Sequence, residues 1–243
     1  MSAVIEVRNL VKRFGGLVAT DNLSFDLDEG ESLGLIGPNG AGKTTVFSQI
    51  MGEVAQTSGT IRFKGQEISK LSTSERISKG VSRTYQVPRP FTELTVRENI
   101  RVGLMPNSIR QLIFGATDTA REEELAESVG FSLTDLQRSA AELSMGDLRK
   151  LEFARALATG ARTLLLDEVF AGLTTGEISM IADLIGQLRR QDFTFLIVSH
   201  DLPAMTPLVD RVIAIELGVL LAEGTMSEVL ANEDVRASYL GEG

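Results

Sequence analysis

Residues 37–45 read Gly37-Pro38-Asn39-Gly40-Ala41-Gly42-Lys43-Thr44-Thr45. From Gly37 to Thr44 they fit the pattern G-x-x-x-x-G-K-[ST], which binds nucleotide phosphates when a strand precedes it and a helix follows it. The preceding run, Ser32-Leu33-Gly34-Leu35-Ile36, is short and apolar, as in a buried strand, and residues 44–51 have a helical pattern that ends at Gly52. The sequence therefore predicts a phosphate-binding loop between a buried strand and a helix.

The residue types in this loop suit a polyphosphate. Gly40 and Gly42 have no Cβ atom, so phosphates can approach the backbone closely. Successive N–H groups and the positive end of the helix dipole would face the phosphate oxygens. Lys43 supplies a positive charge for the β- and γ-phosphates, and the Thr44 hydroxyl suits Mg²⁺. We expect residues 37–45 to bind ATP with Mg²⁺, although the motif alone is shared by kinases, GTPases and transport ATPases.

Two carboxylates follow a second apolar run, Thr163-Leu164-Leu165-Leu166-Asp167-Glu168. Ligands of open α/β sheets gather at the carboxyl ends of the strands, which is where this pair would lie. We expect Asp167 to hold Mg²⁺ through water and Glu168 to accept a proton from the attacking water. Such general-base catalysis is worth roughly 10²–10⁴ in rate.

His200 is the only histidine of the chain and follows the apolar run 195–199. It therefore also stands at the carboxyl end of a predicted buried strand, where it would sense the γ-phosphate. A transition-metal role is disfavoured, because the chain has no cysteine and no second histidine to complete a site. We predict Lys43, Glu168 and His200 as the catalytic residues.

The order of elements predicts an α/β fold. Strand patterns at 4–8, 23–27 and 59–63 occupy the first third, and those at 164–166, 194–198 and 211–215 alternate with helical patterns in the last third. Such alternation indicates a mainly parallel sheet covered on both faces, here with an antiparallel N-terminal part.

Between about Thr95 and Leu157 the pattern is mostly helical, which predicts a helical insertion. Thr95-Val96-Arg97-Glu98 has the form of a capping box at a helix start. The acidic run Glu122-Glu123-Glu124 is typical of a solvated helix face.

Composition limits the function classes. The 243 residues include 33 Asp and Glu against 24 Lys and Arg, and no cysteine. The acidic balance disfavours nucleic acid as a partner, and the lack of cysteine excludes a disulfide scaffold. We find neither a signal peptide nor an apolar run long enough to span a membrane. We therefore expect a soluble protein that would need a partner to hold it at a membrane.

These motifs together resemble the nucleotide-binding subunits of ABC transporters over essentially the whole chain. The signature segment of that family resembles Leu143-Ser144-Met145-Gly146-Asp147, and it stands before the 163–168 strand as the family requires. The resemblance assigns Gln86 to the glutamine loop, which contacts nucleotide and metal, and Phe14 to adenine stacking. It makes Thr44, Gln86 and Asp167 the metal contacts.

The resemblance also implies an assembly. Two ATPase subunits, identical or paralogous, would pack head to tail so that Ser144 and Gly146 of one serve the ATP of the other. Ser144 also fits an ordinary helix N-cap, and both roles can hold. Integral membrane permease subunits would hold the pair on the cytoplasmic face of the cell membrane. One ATPase domain would span 1–243, with an α/β core at 1–87 and 159–243 and a helical subdomain at about 88–158.

Within the family, the segments 167–173 and 237–242 resemble the ATPases of branched-chain amino acid importers and of urea importers. The lipopolysaccharide-export ATPase ends similarly, so export stays open. Pro88-Arg89-Pro90-Phe91 would either face the membrane subunit or be a rigid connector. Four positions depart from the common pattern, and the last of them affects inter-subunit coupling: Val169, Met145, Asp147 and Thr174.

Three other functions are disfavoured by the sequence. A non-transport ABC ATPase acting on DNA or ribosomes usually has two cassettes or long coiled-coil insertions, and this sequence has neither. A non-catalytic nucleotide-binding module is disfavoured by the presence of both Glu168 and His200. A GTPase is disfavoured because no Asn-Lys-x-Asp segment occurs.

Overall fold

The computed structural model describes residues 2–105 and 118–240. Their strands form two sheets, one of six strands and one of four. The strands are β1 (Ala3–Phe14), β2 (Leu17–Asp28), β3 (Ser32–Ile36), β4 (Ser58–Phe63), β5 (Gln66–Glu67), β6 (Val81–Thr84), β7 (Thr163–Asp167), β8 (Thr194–Val198), β9 (Arg211–Glu216) and β10 (Val219–Gly224).

The six-stranded sheet has the order β10-β9-β3-β8-β7-β6. Strand β3 pairs in parallel with β9 and β8, and β7 pairs in parallel with β8 and β6, whereas β10 is antiparallel to β9. Every residue of β3, β7 and β8 is buried, because both faces of a parallel sheet are covered. The predicted mainly parallel sheet is confirmed.

The four-stranded sheet has the order β2-β1-β4-β5 and is antiparallel throughout, as predicted for the N-terminal part. Its apolar side chains, among them Ile5 and Phe25, share one core with Phe47 of the first helix and with Leu33 and Leu196 of the parallel sheet. The antiparallel sheet therefore packs over the helix that follows the phosphate loop.

The helices cover the parallel sheet or lie between β6 and β7. They are α1 (Lys43–Met51), α2 (Thr73–Lys79), α3 (Val96–Leu104), α4 (Thr119–Ser128), α5 (Met145–Ala158), α6 (Thr175–Arg189), α7 (Leu202–Met205), α8 (Met226–Ala231) and α9 (Glu233–Leu240). Helices α3 and α5 pack closely at Gly103, where a Cβ atom would lie 2.7 Å from Ala158 Cβ. The helical pattern expected from 95 to 157 includes residues 106–117, and the C-terminal resemblance includes 241–242; both stretches lie outside the described residues.

Within residues 2–105 and 118–240, four helices begin with a capping box. In each, the N-cap hydroxyl accepts from the N3 backbone N–H while the N3 glutamate accepts from the N-cap backbone. The predicted box Thr95–Glu98 is confirmed. The other three pairs are Ser72–Glu75, Thr174–Glu177 and Thr225–Glu228.

The solvated face predicted for the acidic run is wrong at Glu122. The side chain of Glu122 is fully buried, with Arg101 Nε 2.5 Å from Oε1 and Arg97 Nη1 3.3 Å from Oε2. Two guanidinium groups from α3 replace the water that a carboxylate loses on burial. Glu124 does lie at the surface, with 68% of its side chain exposed.

Across residues 2–105 and 118–240, no helix has the length and apolar character needed to cross a membrane.

Candidate nucleotide-binding site

The loop from Gly37 to Gly42 joins the carboxyl end of β3 to α1. At Gly42, where φ is 104°, a Cβ atom would lie 2.3 Å from the carbonyl oxygen of Ala19 in β2. Packing against β2 therefore requires a glycine at this position. A Cβ atom at Gly40, where φ is 78°, would meet nothing within 4 Å. Gly40 thus borders open space, which leaves room for a phosphate against the backbone.

The Lys43 side chain lies within this loop. Its ammonium donates to the carbonyl oxygens of Gly37, at 2.7 Å, and Pro38, at 2.9 Å. Thr44 is exposed and Thr45 half-buried at the start of α1. The loop residues Asn39 and Gly40 are exposed, whereas Pro38 and Ala41 are buried. The structure therefore keeps the lysine charge at the loop, with the Thr44 side chain on the exposed side of the helix start.

Asp167 ends β7 and is 2% exposed. Its Oδ2 accepts from Arg83 Nη2 at 2.6 Å, whereas its Oδ1 is buried and has no hydrogen-bond partner in the described part of the chain. Leaving a buried carboxylate oxygen unpaired is costly, so this atom is suited to contact a cation or to accept from a metal-bound water. The site thus fits the hydrated Mg²⁺ expected at Asp167.

Arg83 was not singled out from the sequence. Its buried guanidinium also donates to Ser48 Oγ, at 3.0 Å, and to Glu53 Oε2, at 2.6 Å. It lies against the ring of Phe47 in α1, with 5.6 Å from Cζ to the ring centroid. Arg83 therefore connects β6, α1 and the Asp167 carboxylate. The available signal was a charged residue inside an otherwise uncharged strand, three residues before Gln86.

Glu168 and His200 lie together because β7 and β8 are parallel neighbours. Glu168 Oε1 is 3.2 Å from His200 Nε2, and Glu168 Oε2 accepts from the His200 backbone N–H at 3.2 Å. Glu168 has a φ of 49°, and its own N–H donates to the Val198 carbonyl. The left-handed backbone is costly for a non-glycine residue and is often found at functional sites. It directs the carboxylate towards His200.

A second buried arginine, Arg149 of α5, was also not predicted from the sequence. Its guanidinium donates to the backbone carbonyls of Tyr85 and Gln86, both at 2.5 Å, and of Glu168, at 3.2 Å. It also donates to Glu152 Oε2 at 2.9 Å. Burial raises the pKa of Glu152, and the attraction of Arg149 opposes that shift. The i,i+3 spacing of Arg149 and Glu152 was the only local signal.

Gln86 and Phe14 both have exposed side chains. The Gln86 backbone is held by Arg149, next to the same arginine's contact with Glu168. Phe14 ends β1, and its ring lies 4.7 Å from Lys12 Nζ. It pairs with Leu17 at the turn into β2, the strand that contacts Gly42. Adenine stacking by Phe14 stays a prediction.

Ser144 and Gly146 lie at the start of α5, and their contacts run to the start of α6. Ser144 is the N-cap, with its Oγ accepting from the Asp147 N–H at 3.1 Å. The Gly146 N–H donates to Glu177 Oε1 at 3.0 Å. The helix begins at Met145, as the N-cap role of Ser144 requires. None of the contacts described for this segment joins it to the loop 37–45 of the same chain.

The four unusual positions have distinct surroundings. Val169 is fully buried, and Thr174 is the N-cap of α6. Asp147 forms ion pairs with Lys150, at 3.1 Å, and Arg138, at 3.4 Å. Met145 is 38% exposed. With these four residues in place, Lys43, Asp167 and Glu168 make the contacts described above.

Comparison with known proteins establishes the family. The model of the ABC transporter family matches residues 20–171, and a branched-chain amino acid ATP-binding cassette transporter model matches 219–243. The chain belongs to the ATP-binding subunits of ABC transporters.

Among such subunits, it is similar to the high-affinity branched-chain amino acid transport ATP-binding proteins. It is 38% identical to LivG of Salmonella typhimurium and 37% to BraF of Pseudomonas aeruginosa, with 98% of each chain covered in both comparisons. It is 33% identical to the lipopolysaccharide export system ATP-binding protein LptB of Haemophilus influenzae, over 99% of this chain and 98% of that one.

Solved structures agree with this placement. A nucleotide-free ATP-binding cassette from an ABC transporter superposes with a TM-score of 0.89 at 28% identity, covering 98% of this chain and 99% of the other. The ADP conformation of an ATP-binding cassette of an ABC transporter gives 0.88 at 29% identity, covering 99% and 100%. The α/β cassette fold with parallel and antiparallel sheets is confirmed.

Proposed function

We propose that this chain hydrolyses ATP to drive a membrane transporter that imports branched-chain amino acids or a similar small polar solute. One observation carries the hydrolytic part: the Glu168 carboxylate is held by His200 directly after Asp167, whose Oδ1 has no protein partner in the described residues. A base and a metal-binding oxygen thus lie at the carboxyl end of one strand.

In this proposal Lys43, Glu168 and His200 are the catalytic residues. Glu168 accepts the proton of the attacking water, and the nearby imidazole orients it and contacts the γ-phosphate. Lys43 moves from its loop carbonyls to the β- and γ-phosphates. Phosphoryl transfer needs positioning and charge stabilisation more than covalent chemistry, which these side chains can supply.

Nucleotide and metal contacts complete the site. Residues 37–45 bind the phosphates, Phe14 stacks on adenine, and Gln86 contacts the nucleotide. Thr44, Gln86 and Asp167 would hold Mg²⁺, which would offset the negative charge of the phosphates. The open space at Gly40 and the unpaired Asp167 Oδ1 support this assignment.

The proposed assembly is a pair of ATPase subunits bound to integral permease subunits on the cytoplasmic face of the membrane. Ser144 and Gly146 would serve the ATP of the partner, which fits the separation of their contacts from loop 37–45. The α/β core would comprise 1–87 and 159–243, and the helical subdomain about 88–158. Pro88–Phe91 would face the permease through Phe91 and the preceding Val87, which expose large apolar side chains, whereas Pro88 is buried.

The transported solute is proposed from similarity. The C-terminal family match and the higher identity to LivG and BraF favour branched-chain amino acids. Similarity to LptB supports one alternative, the ATPase of a lipopolysaccharide-type exporter.

The test is to purify the chain with its membrane partner, identify that partner by mass spectrometry, and measure ATP-dependent transport in vesicles. Uptake of leucine, isoleucine or valine that stops with Glu168→Gln is expected. Lipopolysaccharide release by the complex would support the exporter. Mg-ATP binding without hydrolysis in the full complex would overturn the catalytic proposal.

A further inference from the structure

One carboxylate joins the starts of two helices. Glu177, in the first turn of α6, accepts through Oε2 from the Thr174 N–H and hydroxyl, each at 2.9 Å. Through Oε1 it accepts from the Gly146 N–H of α5 at 3.0 Å. Glu177 therefore caps its own helix and holds the backbone of a second one, 31 residues away in sequence.

The other capping boxes show that this link is specific to Glu177. Glu75, Glu98 and Glu228 occupy the same N3 position, and in the described structure each makes its carboxylate hydrogen bonds to its own N-cap residue. An ordinary box thus leaves one carboxylate oxygen available. Glu177 uses that oxygen to hold α5.

The lack of a side chain at Gly146 leaves room for this contact. A Cβ atom at Gly146 would lie 2.6 Å from Glu177 Oε1 and 2.7 Å from Glu177 Cγ. Because the Glu177 side chain is already fixed by Thr174, it cannot move aside without losing its cap. A side chain at Gly146 would therefore disturb a contact within the same subunit.

The bond is made by an ionised carboxylate. Hydrogen bonds from the Thr174 backbone and hydroxyl, and then from the Gly146 backbone, lower the pKa of Glu177. A hydrogen bond with the Ser144 hydroxyl lowers the same pKa further. Charge-assisted bonds are shorter and stronger than neutral ones, so the link holds the segment in place.

The other end of the link leads to the catalytic glutamate. Between Glu168 and Thr174 the chain forms two tight turns, with the Ala171 N–H donating to the Glu168 carbonyl and the Leu173 N–H to the Phe170 carbonyl. A short segment with two turns thus joins Glu168, which is proposed to act on this subunit's ATP, to Thr174. The N–H and hydroxyl of Thr174 in turn hold the Glu177 side chain.

We propose that Glu177 is a positioning residue that holds the segment Ser144–Gly146 against Thr174. It thereby fixes the surface that would contact the ATP of the second copy. The proposal rests on the composite site of the proposed function. In this proposal, hydrogen bonds inside each subunit connect the two ATP sites, in addition to the contact between the two subunits.

Three variants of the full chain test this connection: Glu177→Ala, Glu177→Gln, and Glu75→Ala as the matched loss of a capping box. ATPase rate at saturating ATP, KM and thermal stability are measured in the complex with the permease, and nucleotide affinity in the isolated subunit. Glu177→Ala is expected to lower kcat about tenfold to a hundredfold, the loss of a charge-assisted bond. Nucleotide affinity of the isolated subunit should stay unchanged.

The control Glu75→Ala should lose comparable thermal stability with an unchanged kcat. Glutamine at N3 has a single acceptor oxygen, which can keep the Thr174 cap, but its NH2 group then faces the Gly146 N–H. Glu177→Gln should therefore retain thermal stability and still lower kcat. Equal kcat values for Glu177→Ala and Glu75→Ala would overturn the proposal. A wild-type kcat in a Glu177→Gln variant that keeps its thermal stability would overturn it as well.

Ser144→Ala separates this inference from the proposed function. If Ser144→Ala lowers hydrolysis and Glu177→Ala does not, only the positioning role of Glu177 fails. If Ser144→Ala leaves hydrolysis unchanged, the composite site fails, and the role of Glu177 fails with it.

Discussion

His200 contacts Glu168 twice: its Nε2 lies 3.2 Å from Glu168 Oε1, and its backbone N–H donates to Oε2 at 3.2 Å. The imidazole is otherwise well exposed, with 54% of the side chain accessible. A ligand approaching Glu168 from solvent therefore reaches the imidazole as well. The pair forms one unit at the carboxyl ends of two neighbouring parallel strands.

Glu168→Gln should retain ATP binding and lose nearly all hydrolysis. The amide keeps the shape of the side chain but cannot accept a proton, and a general base is worth roughly 10²–10⁴ in rate. Phosphate release and nucleotide affinity are measured side by side. Unchanged turnover would show that another group acts as the base.

His200→Ala should reduce turnover about tenfold to a hundredfold, the range expected when a bond to a charged group is lost. Because the side chain is exposed, the free energy of unfolding should change by no more than about 0.5 kcal/mol. Urea unfolding and steady-state kinetics test both parts. A large loss of stability with normal turnover would mean that His200 is structural.

Arg149→Met should destabilise the protein by about 3–5 kcal/mol, because it leaves the buried Glu152 carboxylate without its guanidinium partner. Arg138→Met is the control: it removes an arginine that pairs with Asp135 and Asp147 nearer the surface, and should cost much less stability than Arg149→Met. Urea unfolding measures both. Similar losses in the two variants would contradict the assigned importance of the Arg149 contacts.

Gly40→Ala and Gly42→Ala should separate binding from folding. Both residues have positive φ, which costs a side chain about 1–2 kcal/mol. At Gly42 the added methyl would also meet the Ala19 carbonyl, so its unfolding free energy should fall further. At Gly40 the methyl would enter the open space proposed for phosphate. We expect a clear loss of nucleotide affinity there with the smaller loss of stability, measured by titration and urea unfolding.

Asp135→Asn should change how stability depends on pH. Hydrogen bonds from the Ser132 hydroxyl and backbone, and then from Arg138, lower the pKa of Asp135 from 3.8 to about 2. A lowered native pKa adds stability above the unfolded value of 3.8, and that stability is lost as pH falls through about 2. The difference in unfolding free energy between wild type and variant should therefore shrink from pH 4 to pH 2. A constant difference would show that ionisation of Asp135 contributes nothing.

Local sequence patterns were sufficient to predict most of the strands, helices and motifs around the candidate site. The loop 37–45, the buried strands around it and the carboxylates at 167–168 could be predicted because each motif is contiguous and has a definite strand or helix beside it. The capping box at Thr95 is local for the same reason. His200 could be placed near Glu168 because parallel neighbouring strands bring their carboxyl ends together.

Tertiary packing decided the residues that support this framework. Arg83 reaches Asp167 across 84 positions, Arg149 reaches Gln86 across 63, and Glu177 reaches Gly146 across 31. Glu122 is buried only because two arginines of another helix meet it. A charged side chain looks the same in sequence whether water or a distant partner solvates it. The sequence itself specified which groups are expected to bind and act on ATP, and the folded packing specified which buried charges hold those groups in place.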